Sequence, residues 1–299
     1  MSTSIYLSNQ SVSVVKGSVS KQAIKITDSC TVALPEGALI NGVITDDRAI
    51  KEALDSLHRG GKLPERDIRL VIDSSNIFTK VETVPRLSHA QLLELTRNAF
   101  ADAAGGRDDL LYDYAFLQEV PGGKQQVLCS AVESGMIQSY IALFESVGLA
   151  LSSINIALCS VTKLIQHIKS LSEKSYILCV ADGNVLSTML FLAGKYRFSS
   201  RQRLLNQRGA PASSAEVLQS ISSMVQFNSA QKTGFTIDTV YFCGLRKEEQ
   251  GLYQEVMTEF HLSAAPLPLS REFILENSDP NAPYSISDYL FATGNLIEK

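Results

Sequence analysis

The sequence predicts an α/β protein of two lobes, and three observations lead there. Strands and helices alternate in two groups, rather than running as one block of strands as in a sandwich. A hairpin followed by a helix occurs near residue 5 and again near residue 176, as a duplicated core would show. Between the two, residues 77–150 read β-α-β-β-α without interruption, a compact α+β insertion in the first lobe. The 299 residues are 45% hydrophobic and 19% charged. That is enough apolar material for a sizeable core, and the length suggests about two domains or one large one.

Each element has its own signal. Residues 4–15 alternate in part, with a turn read at Lys16-Gly17, and 22–26 and 31–34 follow as further extended pieces. After the turn Leu34-Pro-Glu-Gly37 and the short segment 40–44, acids at Asp46 and Asp47 open a helix to about His58. Ile50, Leu54 and Leu57 lie on one of its faces, and the acids suit the positive end of the helix dipole. Residues 67–73 are an apolar strand. Residues 77–84 alternate like a half-exposed strand. Ser88 is set to cap a helix to about Ala103, and Pro121-Gly-Gly123 joins strands 110–120 and 125–133. Ser134 begins a helix that stops near Gly148.

Beyond the insertion, 152–156 is extended and 157–171 is an apolar helix. Residues 176–180 are strongly β, and Leu192-Ala-Gly-Lys195 turns strand 187–192 into strand 195–198. The stretch 201–211 is polar and irregular, and Ser213 caps a helix over 214–231. Strand 237–243 ends at Gly244, a helix covers 247–260, 264–269 is extended, and 285–297 is a final helix.

Composition excludes several function classes. Lys plus Arg total 27 against 31 Asp plus Glu, a formal charge of −4, which argues against a nucleic-acid binder. Trp is absent, so aromatic stacking platforms are not expected. Cys30, Cys129, Cys159, Cys179 and Cys243 are widely spaced with no C-x-x-C, so they read as small hydrophobes in a reducing compartment. His58, His89, His167 and His261 read as structural; Glu259-x-His261 is too weak a spacing for a metal. Asp46-Asp47 and Asp108-Asp109 read as solvated turns. Arg197, Arg201, Arg203 and Arg208 cluster and read as a solvated hairpin edge, with an acidic partner or lipid headgroups as the alternative. No signal peptide or membrane span is written in the chain, which is expected to be cytoplasmic.

Several segments carry a resemblance in shared order: Leu34-Pro-Glu-Gly-Ala-Leu-Ile-Asn-Gly-Val-Ile44, Val71-Ile-Asp-Ser-Ser-Asn-Ile77, Val84-Pro-Arg-Leu-Ser88, Phe144-Glu-Ser-Val-Gly-Leu149 and Ala292-Thr-Gly-Asn-Leu296. Over nearly its full length the chain resembles the PilM-like type IV pilus assembly proteins of the actin-like superfamily, with FtsA as the next neighbour. The resemblance implies a two-lobed actin-like fold with duplicated ribonuclease H-like cores. Residues 1–76 and 151–174 would form the first lobe together with a C-terminal helix at 285–299. Residues 77–150 would be the inserted FtsA/PilM-type subdomain. Residues 175–284 would form the second lobe, whose distal subdomain is reduced around 199–213.

The superfamily binds ATP through glycine-bearing turns, and this chain departs from all three. Tyr6 stands where an Asp is expected, Ser8 where a Gly is and Ser13 where a Lys is. Val180 replaces the second acid, leaving Asp182-Gly183 as a displaced remnant, and Gly244 stands alone where two or three glycines are usual. Asp182, Gly183 and Gly244 are therefore the cofactor-binding residues only if nucleotide binds, with Asp182 as relocated Mg²⁺ organiser; no cofactor is expected otherwise. The resemblance implies a non-catalytic scaffold, peripheral at the inner face of the cell membrane, that holds the N-terminal tail of a PilN-like membrane protein. A pilus assembly ATPase and self-association are further implied partners. Phe78, Lys80, Met136, Tyr140 and Phe144 are the candidate partner-binding residues, on strand 77–84 and the helix after Ser134. The alternatives are an actin-like ATPase with an altered pocket and an FtsA-like or GspL-like membrane-associated adaptor. The sequence ending Ile297-Glu-Lys299, without an amphipathic anchor, weighs against the adaptor.

Overall fold

The computed structural model describes residues 1–104, 108–232, 234–276 and 283–298; Lys299, the last residue of the expected terminal helix, lies outside them. The first elements are β1 (Ser2–Leu7), β2 (Ser11–Val19), β3 (Ile24–Ala33), β4 (Leu39–Ile40), β5 (Val43–Ile44), α1 (Asp47–Arg59) and β6 (Ile68–Ile72). There follow β7 (Phe78–Pro85), α2 (His89–Ala99), α3 (Ala101–Ala104), β8 (Leu110–Val120), β9 (Lys124–Glu133), α4 (Ser134–Glu145), β10 (Leu151–Ile156) and α5 (Ala157–His167). The remainder is β11 (Tyr176–Asp182), β12 (Val185–Leu192), β13 (Lys195–Arg203), α6 (Pro211–Ala230), β14 (Thr239–Cys243), α7 (Gly251–Phe260), β15 (Ser263–Pro266), β16 (Phe273–Leu275) and α8 (Ile286–Gly294).

The chain divides into unit 1 (1–18, 28–163 and 291–299) and unit 2 (19–27 and 164–290). Residues 164–174 and 285–290, read above with the first lobe, thus fall in unit 2. One boundary coincides with a break in α8, where Tyr289 leaves helical geometry at φ −116° and ψ 19°.

In unit 1 the main sheet runs β10-β6-β1-β2-β3. β1 is antiparallel to β2 and parallel to β6, which is parallel to β10. Asp46 caps α1 by accepting the Ala49 N–H at 3.1 Å, and the helix buries Ile50, Leu54 and Leu57, the face that periodicity predicted. These residues join Ile5, Leu7, Val14, Leu70, Tyr140 and Phe144 in one core. A second sheet, β7-β9-β8, is antiparallel throughout. Here α2 opens with a full capping box between Ser88 and Gln91, and Leu92 packs with Val84, Phe100, Leu110, Val127 and Cys129.

Unit 2 is built on the sheet β13-β12-β11-β14-β15. β11 is antiparallel to β12 and parallel to β14. β12 is buried along its whole length, as a strand covered on both faces must be. Val217, Ile221 and Met224 of α6 and Leu252 and Val256 of α7 pack against Ile177, Leu190, Val240 and Phe242. The start of β3 pairs in parallel with β16, Ile24 opposite Phe273, a strand that periodicity did not signal.

Local readings are corrected in several places. The first turn is at Ser8–Gln10, not at Lys16-Gly17: β2 runs on through both residues, which pair with Thr3 and Ser2. β3 is one strand rather than two pieces. α6 starts at Pro211, whose missing N–H costs nothing at a first helical position, and Ser213 Oγ donates to the Ala210 carbonyl instead of capping. Ser134 is likewise no cap; α4 begins without one. Cys129, Cys159, Cys179 and Cys243 are buried, but Cys30 is only half-buried. Burial pushes the Cys243 thiol up to about 12, so it stays protonated.

Candidate functional site

Unit 1 contains a cavity of about 360 Å³. One wall is β8, from Leu111 to Ala115, backed by Ser130 and Val132 of β9; the facing wall is β10, from Leu151 to Ile156. Ile137 and Ile141 of α4 line it, together with Ile72 of the main sheet and Cys159 and Lys163 of α5. The topology explains the shape. β8 is an edge of its sheet and β10 an edge of the other, each hydrogen-bonded to one neighbour. An edge strand carries backbone N–H and C=O groups that its own sheet does not pair. One of these, the Tyr114 N–H, is met by Asp113 Oδ1 at 2.8 Å rather than by another strand.

The lining is mostly apolar. Leu111 and Ile141 are 46% and 38% exposed, although both are large hydrophobic residues. Charge enters at Asp113 and Lys163; Lys163 also donates to the Ile297 carbonyl at 3.5 Å. β10 and its neighbour β6 are bonded to the C-terminal segment. Asn155 Nδ2 donates to Asn295 Oδ1 at 2.8 Å, and Asn295 Nδ2 reaches Ser4 Oγ at 3.1 Å. Arg69 adds a bond to the Leu296 carbonyl at 3.1 Å and an ion pair to Glu298. The C-terminal segment therefore helps hold the β10 edge.

None of the five partner-binding candidates from the sequence lines this cavity. Tyr140 and Phe144 are buried in the main core and Met136 packs against it. Phe78 packs against the core of the β7-β9-β8 sheet, its ring 6.4 Å from that of Phe100. Lys80 pairs with Glu82 at 2.8 Å, on the edge of the sheet opposite to β8. Met136, Tyr140 and Phe144 repeat every fourth residue because that stripe is the core face of α4; the cavity is met by Ile137 and Ile141, one position on. β8 and β10 carried no such signal, since which strands are edges depends on the sheet order. On β8 the hint was a surplus of apolar residues on a strand that alternation would leave half polar; β10, with three apolar residues in six, offered none.

Two of the three cofactor candidates, Gly183 and Gly244, meet in unit 2 on an arginine. Asp182 ends β11, Gly183 follows it at φ +57°, and Gly244 follows β14 at φ +74°. Arg208 Nη1 donates to the Gly183 carbonyl at 3.0 Å and Nη2 to the Gly244 carbonyl at 2.8 Å. Its Nε donates to Glu249 Oε1 at 2.7 Å, and Nη2 also reaches Glu249 Oε2. Arg208 is 8% and Glu249 6% exposed. The reading of Arg208 as part of a solvated cluster is therefore overturned: its guanidinium has a buried carboxylate and two turn carbonyls to satisfy it. Burial pushes the Glu249 carboxyl up, but hydrogen bonds from Arg208 and the Arg246 N–H, with the charges of both arginines, leave it below its ordinary value. Among the described residues no three His, Cys, Asp or Glu side chains gather as a metal site, and no helix is long and apolar enough to cross a membrane.

A chain of the PilM-PilN type IV pilus biogenesis complex superposes with a TM-score of 0.79 at 12% identity, covering 100% of this chain and 99% of that one. The cytoplasmic domain of EpsL, an inner membrane component of the type II secretion system of Vibrio cholerae, gives 0.52 at 10%, covering 99% and 95%. A Bacteroides thetaiotaomicron protein of actin-like ATPase fold and unknown function gives 0.51 at 10%, covering 90% and 92%. At such identities the likeness is one of fold, and the fold is actin-like. No curated protein matches the chain. Residues 4–192 match the family described as type IV pilus assembly protein PilM, and the chain belongs to that family.

Proposed function

We propose that this chain is a non-catalytic scaffold of a type IV pilus assembly platform, and that its unit 1 cavity holds the N-terminal cytoplasmic tail of a PilN-like membrane partner. The reading rests on family membership, on the likeness to a chain of the PilM-PilN complex, and above all on one observation. The cavity has an open strand edge on each wall, β8 and β10, with apolar side chains between them. An extended peptide is held well by main-chain bonds to a strand edge, with pockets for alternate side chains. The partner would keep the scaffold at the inner face of the membrane.

The test is capture of a synthetic partner tail, measured by fluorescence anisotropy. Leu111→Asp and Ile141→Asp place a charge in the cavity at positions exposed enough to tolerate one. Each is expected to weaken binding at least tenfold, about 1.4 kcal/mol, with circular dichroism unchanged. Phe78→Asp on the far edge, where it folds, should bind as wild type. Full binding by both cavity variants would sink the assignment.

A further inference from the structure

We infer that the unit 2 turns expected to serve a nucleotide are instead clamped by this chain's own Arg208, and that the protein takes no Mg²⁺–ATP. Phosphate oxygens need donors, supplied in such turns by backbone N–H groups. The turns at Gly183 and Gly244 offer the opposite. Each points a carbonyl at the guanidinium, and the one N–H of Gly244 is already bonded to Ser287 Oγ at 2.7 Å. Four of the five guanidinium N–H groups are engaged, two on carbonyls and two on Glu249. The space at Gly244 is closed as well: a Cβ there would meet the Ala181 carbonyl oxygen at 2.0 Å.

The first-turn positions in unit 1 point the same way independently. The N–H groups of Gln10 and Ser11 bond to Ser8 Oγ at 3.1 and 3.0 Å, and the Ser8 N–H bonds to the Ser11 carbonyl at 2.9 Å. Donors that would face a phosphate are thus closed on their own turn. Tyr6, at the place of the expected acid, is buried with its ring 4.6 Å from that of Phe291. A guanidinium spanning two turns does what a bound ligand would do for them, joining them, but permanently. The inference does not depend on the peptide cavity.

Two measurements on the full chain test it. With millimolar Mg²⁺–ATP, wild type is expected to show no change in Tm and no saturable heat by calorimetry. A site filled to about 100 times its dissociation constant would raise Tm by roughly 5 °C or more, and such a rise would overturn the inference. Arg208→Gln and Glu249→Gln are each expected to lower Tm by on the order of 10 °C. The double variant should fall no further than the worse single, because the two side chains act as one unit. Additive losses, or unchanged Tm in either single variant, would refute the clamp. If Arg208→Gln does not fold, that is the loss the clamp requires, and the nucleotide measurement on wild type still decides the other half.

Discussion

Tyr140 Oη donates to the carbonyl of Gly42 at 2.7 Å, and the tyrosine has no exposed surface. The bond ties α4 to the short β4–β5 hairpin. Gly42 has little room to adjust: at φ +79°, a Cβ there would meet Ser74 Cβ at 2.8 Å. Burial pushes the phenol well above its ordinary range, so it remains a donor at any working pH.

Removing that hydroxyl alone should cost stability and leave recognition intact. Tyr140→Phe leaves the Gly42 carbonyl without its partner and is expected to destabilise by about 1–3 kcal/mol. Urea denaturation measures the loss, and binding of the partner tail should be unchanged. Tyr140→Asp should fail to fold, because it places an unpaired charge in the core. A folded Tyr140→Asp protein would contradict the core placement.

The Arg208–Glu249 pair predicts a pH dependence. The Glu249 carboxyl is depressed in the folded state, so the unfolded chain takes up its proton first as pH falls. The stabilisation is complete above the unfolded carboxylate value, about 4.3, and is lost as pH falls through the lower folded value. The Tm gap between wild type and Glu249→Gln should therefore be constant near neutrality and shrink below roughly pH 4. A gap that widens on acidification would reverse the assignment.

Two glycines of similar backbone conformation separate strain from crowding. Gly122 and Gly244 have φ of +81° and +74°. A Cβ at Gly122 meets nothing within 4 Å, whereas one at Gly244 meets the Ala181 carbonyl at 2.0 Å. Gly122→Ala should cost about 1–2 kcal/mol, the penalty for an L side chain in the left-handed region. Gly244→Ala should cost several kcal/mol more, because the Ala181 backbone of β11 cannot move aside without breaking sheet bonds. Equal losses in chemical denaturation would mean that backbone conformation alone matters.

Asn295 links stability to the cavity wall. It is 2% exposed and bonded to both Asn155 and Ser4. Asn295→Leu removes the donor to the Ser4 hydroxyl and one of the bonds of Asn155, and should destabilise by about 1–3 kcal/mol. Since Asn155 lies on β10, partner-tail binding should weaken as well. Hydrogen exchange of β10 amides is the direct readout. Unchanged exchange with lost stability would confine the effect to the terminal segment.

Much of the architecture follows from local patterning. The periodicity of α1 located its buried face, Ser88 located the start of α2, and the run 77–150 showed its strands and helices in their order, because caps, periods of two and 3.6 and turn glycines act over a few residues. Departures from the superfamily pattern at Tyr6, Ser8 and Val180 were also legible, since each is a matter of residue type. Three things were decided only by tertiary structure. β16 is too short to carry a pattern and exists because β3 offers it an edge. The cavity depends on β8 and β10 being edges, a property of sheet order that no strand's own residues encode. Arg208 is distant in sequence from Glu249, Gly183 and Gly244. Before folding it is one cation among several; burial makes its charge costly unless paired, and the fold pairs it.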